Sequence, residues 1–229
     1  MSFILHIDTA VQSASICISD NEKIIFSAIN PSQKDHASWL HQQIRNAFLE
    51  TKISLKQLEA VAVSAGPGSY TGLRVGMSTA KGFCFALKIP LLLVNTLQMM
   101  ANAAKKQSTG LLCPMIDARR MEVFTAVFDN SLQEIVPYRN LILDPDSFSS
   151  ILEQGKILFF GNGSAKFQAI TQHPNALFTS VEASAENMPE LVYSQFLDQN
   201  FVDLAYAEPF YGKDFHSLAQ QSSVKKADL

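Results

Sequence analysis

Ser64-Ala65-Gly66-Pro67-Gly68-Ser69-Tyr70-Thr71-Gly72-Leu73-Arg74-Val75-Gly76 joins an apolar run to a helical pattern within a few residues. Upstream, Ala60-Val61-Ala62-Val63-Ser64 reads as a buried strand. Gly66 and Gly68 flank Pro67, which permits positive φ or close approach of a second backbone, and Ser69 or Thr71 can cap the free N–H groups of the next helix. A strand-to-helix turn of this kind can receive an anion. Gly66, Gly68, Ser69 and Arg74 on this stretch, with the strand-ending Asp8, are candidate nucleotide-proximal residues.

Wound at about 100° per residue, the helix predicted to run to Leu87 sorts into three strips. Leu73, Met77, Ala80, Cys84 and Leu87 form an apolar face, and Arg74, Lys81 and Lys88 a solvated edge. Gly72, Gly76, Thr79, Phe83 and Ala86 form the third strip. Two missing side chains there allow a backbone to come close, at a cost of roughly 1 kcal/mol of helix propensity per glycine. The close neighbour is either the chain's own sheet or a helix of a partner.

The 229 residues suit one large domain or two lobes, and 47% hydrophobic against 17% charged content excludes disorder. No apolar run approaches the ~20 residues of a membrane helix. Met1-Ser2-Phe3-Ile4-Leu5 lacks the basic start and cleavage site of a signal peptide, which points to the cytoplasm. Cys17, Cys84 and Cys113 each sit in an apolar run, as inert buried thiols do. A net charge of −3 provides no broad basic footprint, so any RNA is expected to be held by another subunit.

Along the chain, residues 3–8, 14–18 and 23–28 read as a three-stranded meander with a turn at Asp20-Asn21. A helix follows over 35–52, then a capping box at Ser54-Leu55-Lys56-Gln57. Residues 91–94 read as a strand and 96–104 as a helix. Lys105 to Gly110 marks a boundary, giving lobes 1–108 and 109–229. Strands at 111–117, 122–128 and 135–143, a helix at 146–154 and a strand at 156–160 then run into Gly161-Asn162-Gly163-Ser164 and another helix. Both halves thus read strand, strand, strand, helix, strand, glycine turn, helix. Asp8 and Asp117 close the first strand of each, and a Gly-x-Gly closes the fourth, which indicates duplicated α/β lobes with mixed sheets. A helix over 185–199, an extended aromatic stretch Glu208-Pro209-Phe210-Tyr211-Gly212-Lys213 and a frayed end Ser222–Leu229 complete the prediction.

On the first long helix Trp39 lies beside Gln43 and Asn46, off the apolar face of Ala37, Leu40, Ile44, Ala47 and Phe48. It is either a core outlier or an exposed anchor. His36 and His41 are five apart, unlike the i, i+4 pair a metal would need. Asp8 and Asp117 suit either acid–base work or capping of the adjacent turn.

Ile7-Asp8-Thr9-Ala10, Gly66 to Arg74, Ile116-Asp117-Ala118-Arg119-Arg120, Glu122-Val123 and Glu208-Pro209-Phe210-Tyr211 together resemble the TsaB family, also called YeaZ, over nearly the whole chain. Two positions depart from it. Met121 stands where many members carry glycine, and Gly212-Lys213 replaces a usual Leu-Arg. The resemblance implies an actin-like, sugar-kinase-like fold of two ribonuclease-H-like lobes, and a subunit with no catalysis and no cofactor of its own. Its implied partner is TsaD, which moves threonylcarbamoyl from an adenylate to N6 of adenosine 37 of ANN-reading tRNAs. The ATPase TsaE joins them, TsaC-type enzymes supply the adenylate, and ATP or ADP has a place at the subunit junction.

Asp8-Thr9-Ala10-Val11 lacks the glycine of a working phosphate loop, which favours scaffold over catalyst. Trp39, Leu40, Gln43, Gly72, Gly76, Thr79 and Phe83 are the expected docking surface for TsaD, open to a second copy of the chain when TsaD is absent. The competing reading is a stand-alone small-molecule kinase or metallopeptidase-like enzyme of the same fold.

Overall fold

The computed structural model describes residues 2–30 and 36–212. Position 35 at the predicted helix start, Lys213 and the predicted frayed end Ser222–Leu229 lie outside them. The predicted meander is β1 (Phe3–Asp8), β2 (Ala14–Asp20) and β3 (Lys23–Asn30), followed by α1 (His36–Thr51), β4 (Leu58–Gly66), α2 (Tyr70–Leu87), β5 (Leu91–Asn95) and α3 (Thr96–Ala104). The second half repeats the order with β6 (Leu111–Asp117), β7 (Glu122–Phe128), β8 (Glu134–Ile142), α4 (Ser149–Leu152), β9 (Ile157–Phe160), α5 (Ser164–Gln168) and β10 (Ala176–Phe178). A short helix, α6 (Pro189–Leu197), ends the regular structure.

Local chemistry accounts for several boundaries. Both bonds of the capping box form between Ser54 and Gln57. The Ser69 hydroxyl accepts the Gly72 N–H and starts α2, while Asn95 caps α3 through the N–H groups of Leu97 and Gln98. The helix predicted over 146–154 contracts to the single turn of α4. The Asp144 N–H donates to Ser147 Oγ while Asp144 Oδ1 accepts the Asp146 N–H, and this turn chemistry displaces the first helical turn. β10 was absent from the sequence reading because three residues at a sheet edge carry no period.

The two sheets have matching orders, β3-β2-β1-β4-β5 and β8-β7-β6-β9-β10. In each the first three strands are antiparallel and the last two add in parallel. This is the duplicated actin-like, ribonuclease-H-like architecture. α1 and α2 cover one face of the first sheet, through Leu40, Ile44, Met77, Ala80 and Cys84 against Leu5, Ile7, Ile16 and Val63. α3 lies between the sheets. Met99 packs toward Ala60, Ala62 and Val94, whereas Leu97, Met100, Ala101 and Ala104 pack toward Leu112, Ile116 and Phe160.

The division at 108/109 does not separate two continuous lobes. Ala185, Met188 and Val192 return to the first sheet and bury against Ile4, Cys17, Ala60 and Leu92, and the Ala185 N–H donates to Ser15 Oγ at 2.8 Å. Val202 then forms a bridge to Leu91, and Ala207 joins the first core. The physical reason is coverage: α3 is too short to shield the whole face of a five-stranded sheet.

Helix α2 corrects the three-strip reading. Gly72, Gly76 and Thr79 are buried together with Leu73, Met77, Ala80 and Cys84, so two strips form one broad inward face. A Cβ at Gly72 would run into the Thr9 carbonyl oxygen, and one at Gly76 into Thr9 Oγ1. The glycine notch is filled by the chain's own first loop. A Cβ at Gly82 meets nothing within 4 Å. Urea denaturation should therefore separate the two glycines. Gly82→Ala should gain stability by about 1 kcal/mol from helix propensity, and Gly72→Ala should lose roughly 1–3 kcal/mol from overpacking.

Candidate functional site

Each lobe ends its first strand in an aspartate and its fourth in a Gly-x-Gly turn, and the two features lock together. In the first lobe Asp8 Oδ1 accepts the Ala10 N–H at 3.0 Å and the Ser64 hydroxyl at 2.5 Å. The Ser69 N–H donates to the Ala10 carbonyl at 2.6 Å, and Thr9 Oγ1 donates to the Gly72 carbonyl at 2.7 Å. A Cβ on Gly68 would collide with that Ala10 carbonyl, so only glycine admits this approach. In the second lobe Asp117 Oδ1 accepts the Arg119 N–H at 2.6 Å, and the Asn162 amide oxygen accepts the Asp117 N–H at 2.9 Å. Both aspartates cap the N–H two residues onward, the turn role rather than an open acid–base role.

Their environments differ. Asp8 is fully buried, and loss of solvent lifts its carboxyl to about 6 against the opposing pull of Ser64 and Ala10. Its Oδ2 has no hydrogen-bond partner among the described residues. Asp117 is exposed at the rim. Partial burial pulls its carboxyl up, but the Lys166 ammonium at 2.6 Å and the Arg119 N–H outweigh that and hold it below the usual carboxylate range. Burial drives the His6 ring down to about 3, so it is a neutral core histidine paired with Ser19 Oγ at 2.8 Å. Burial also raises the three cysteines above their ordinary range, in keeping with inert thiols.

Between the lobes runs a cleft of about 1160 Å³. Its first-lobe wall includes Ala10, Gly68, Ser69, Tyr70 and Thr71, and its second-lobe wall includes Asp117, Arg119, Arg120 and Asn162. Of the nucleotide-proximal candidates, Gly68 and Ser69 line it. Asp8 and Gly66 are sealed beneath it: Asp8 is fully buried with Oδ1 engaged by Ala10 and Ser64, and Gly66 is packed against the Phe210 carbonyl. Arg74 stands on the exposed side of α2, with its guanidinium 4.1 Å from the Tyr70 ring centroid and Nε donating to the Tyr211 hydroxyl at 3.0 Å.

Sequence reasoning missed the part played by the tail. The Phe210 N–H donates to the Ala65 carbonyl at 2.7 Å, its ring meets Tyr138 of β8 edge-on at 4.7 Å, and the Tyr138 hydroxyl donates to the Gly212 carbonyl at 2.9 Å. Residues 210–212 thereby tie the first lobe to the second. Gly212 explains one departure from the family pattern: its φ is +76°, and the Tyr138 hydroxyl occupies the place of a Cβ. At the other departure the left-handed residues are Arg119 (φ 68°) and Arg120 (φ 48°), and Met121 is outside that region. The signal for the strap was the run of aromatics beside a glycine.

The expected docking residues are largely interior. Leu40, Gly72, Gly76 and Thr79 are buried, Trp39 and Phe83 are half-buried against the first core, and Gln43 accepts the Asn46 amide at 3.4 Å. Trp39 is thus closer to a core outlier than to an exposed anchor. The outward sides of α1 and α2 instead carry Leu49, 66% exposed, and Phe85, 80% exposed.

A family model described as TsaD, tRNA N6-adenosine threonylcarbamoyltransferase, matches residues 23–206. A tRNA threonylcarbamoyladenosine biosynthesis protein TsaB of Bacillus subtilis is 30% identical over 166 residues, covering 71% of this chain and 72% of the relative. The chain belongs to the TsaB family. The Escherichia coli TsaB is 26% identical over 216 residues, covering 91% of this chain and 93% of its own. In fold, the chain matches a solved Pseudomonas aeruginosa protein described as similar to peptidase YeaZ, with a TM-score of 0.81, 24% identity and coverage of 93% and 100%. Among the described residues of this TsaB-family chain, no helix is long and apolar enough to cross a membrane.

The raised carboxyl of Asp8 has a measurable sign. Its folded value lies above the unfolded one, so the folded state holds the extra proton and stability falls as pH rises from about 4 to about 6. The change is about 3 kcal/mol across that window. Denaturant midpoints measured against pH should show this slope in the native chain, and Asp8→Asn should flatten it.

Proposed function

We propose that this TsaB-family chain acts in the cytoplasm as a partner subunit of TsaD. On this reading it holds TsaD in its working arrangement for threonylcarbamoyl transfer to adenosine 37 of tRNA, performs no transfer itself and carries no cofactor of its own. TsaE joins the pair, and ATP or ADP belongs at the subunit junction.

One observation carries the reading. A phosphate-binding lobe of this fold class needs a free helix N-terminus facing a permissive loop. Here the loop of Thr9 and Ala10 has taken that place, with Ser69 N–H given to the Ala10 carbonyl and the Gly72 carbonyl engaged by Thr9. The Ser69 N–H is given to Ala10 and the Gly72 N–H to the Ser69 hydroxyl, so two of the donors at this helix start are already engaged, which supports a scaffold over a kinase.

The docking surface moves accordingly. The exposed apolar side chains Phe85 and Leu49 on α2 and α1 are suited to a helical partner face, with the open surface at Gly82 allowing close approach. Phe85→Glu should cut co-purification with TsaD by at least about tenfold while leaving the unfolding free energy within the roughly ±0.5 kcal/mol typical of surface changes. Undiminished capture of TsaD by that variant would remove the assigned face, and threonylcarbamoyl transfer by the isolated chain would remove the scaffold reading.

A further inference from the structure

We infer that the mouth of the interlobe cleft binds single-stranded RNA, with a base against the Tyr70–Tyr211 pair and backbone phosphate on Arg119 and Arg120. The source of the RNA rests on the function proposed above; the chemistry of the site does not.

The tight turn between β6 and β7 holds Arg119 and Arg120 in consecutive left-handed conformations, closed by the Glu122 N–H on the Arg119 carbonyl. Both side chains line the cleft and are exposed. Among the described residues neither guanidinium lies within ion-pair distance of a carboxylate, and Arg119 acts on Asp117 only by longer-range attraction. The nearby Asp117 carboxylate is already neutralised by Lys166, so the pair presents its charge to the cleft. Arginine forks match phosphate geometry and leave two contacts of this kind for adjacent phosphates.

Across the same cleft Tyr70 and Tyr211 lie with ring centroids 4.8 Å apart, and both line it. The Arg74 guanidinium lies 4.1 Å from the Tyr70 ring centroid and 5.7 Å from that of Tyr211, and adds positive potential beside them. An aromatic platform beside a cationic rim is what a splayed-out base and its phosphates require, and every base offers a π-face. A folded duplex hides those faces, which is why the site selects a single strand. The formal charge of −3 argues against a broad footprint and says nothing of a local pair, Arg119 and Arg120, on the cleft wall. Such a site departs from the expectation that RNA is held by another subunit.

The experiment uses the full chain without TsaD, so its outcome is independent of the co-purification test. Anisotropy of a 5′-labelled unstructured RNA decamer is titrated at several salt concentrations. Arg119→Asn with Arg120→Asn removes both charges while asparagine tolerates the left-handed backbone. It should weaken binding at least tenfold and reduce the slope of log K against log salt by about 1.4, from roughly 0.7 per phosphate contact. Arg119→Lys with Arg120→Lys should keep the slope, and it decides the matter should the asparagine variant lose its circular dichroism. Tyr70→Leu should weaken binding roughly 5- to 150-fold with the slope unchanged. Absence of binding by the native chain, equal binding by the asparagine variant, or AMP competing as well as the decamer would overturn the assignment, the last by giving the site to a free nucleotide.

Discussion

The contact between the first loop and the start of α2 is the constraint from which the rest follows. The Ala10 carbonyl sits where a Gly68 side chain would be, the Thr9 hydroxyl sits where a Gly76 side chain would be, and two hydrogen bonds close the joint. Replacing either glycine pushes the loop outward, and Asp8, whose carboxylate caps that loop, would move with it. The glycines that cost α2 helical propensity are therefore returned as a sealed joint between strand, loop and helix. That joint also fixes the wall of the cleft, because Ser69 and Tyr70 follow directly from it.

The two lobes are coupled by three devices of different kinds. α3 packs between the sheets with apolar side chains on both sides. The Phe210–Gly212 strap joins the end of β4 to β8 by hydrogen bonds and an aromatic edge contact. The Ala185–Val192 segment, reached only after the second sheet is complete, covers the first. With three independent ties the two walls of the cleft are held at a defined separation.

Much of this was legible in the sequence because the signals were local. The strand ends at Asp8 and Asp117, the Ser54 and Ser69 caps and the paired Gly-x-Gly turns each depend on a few adjacent residues, and the duplicated order of elements followed from them. What failed was direction. Periodicity placed Gly72, Gly76 and Thr79 on one flank of α2 but could not say whether that flank faced the sheet or a partner, and the deciding group, Thr9, lies more than sixty positions away. The Tyr70–Arg74–Tyr211 stack was hidden for the same reason, since its members are 137 residues apart from Arg74 to Tyr211. β10 and the contracted α4 failed through shortness, where a turn or an edge pairing outweighs any pattern.

The return of residues 185–207 to the first lobe governs how the molecule can be made. Ile4, Cys17, Ala60, Ala62 and Leu92 leave the ribosome early, yet part of their cover is encoded near the end of the chain. A nascent polypeptide carrying only the first half presents bare apolar sheet until residues 185–192 have been made. The halves, although built on one plan, cannot be exchanged or expressed as independent pieces without leaving that surface open.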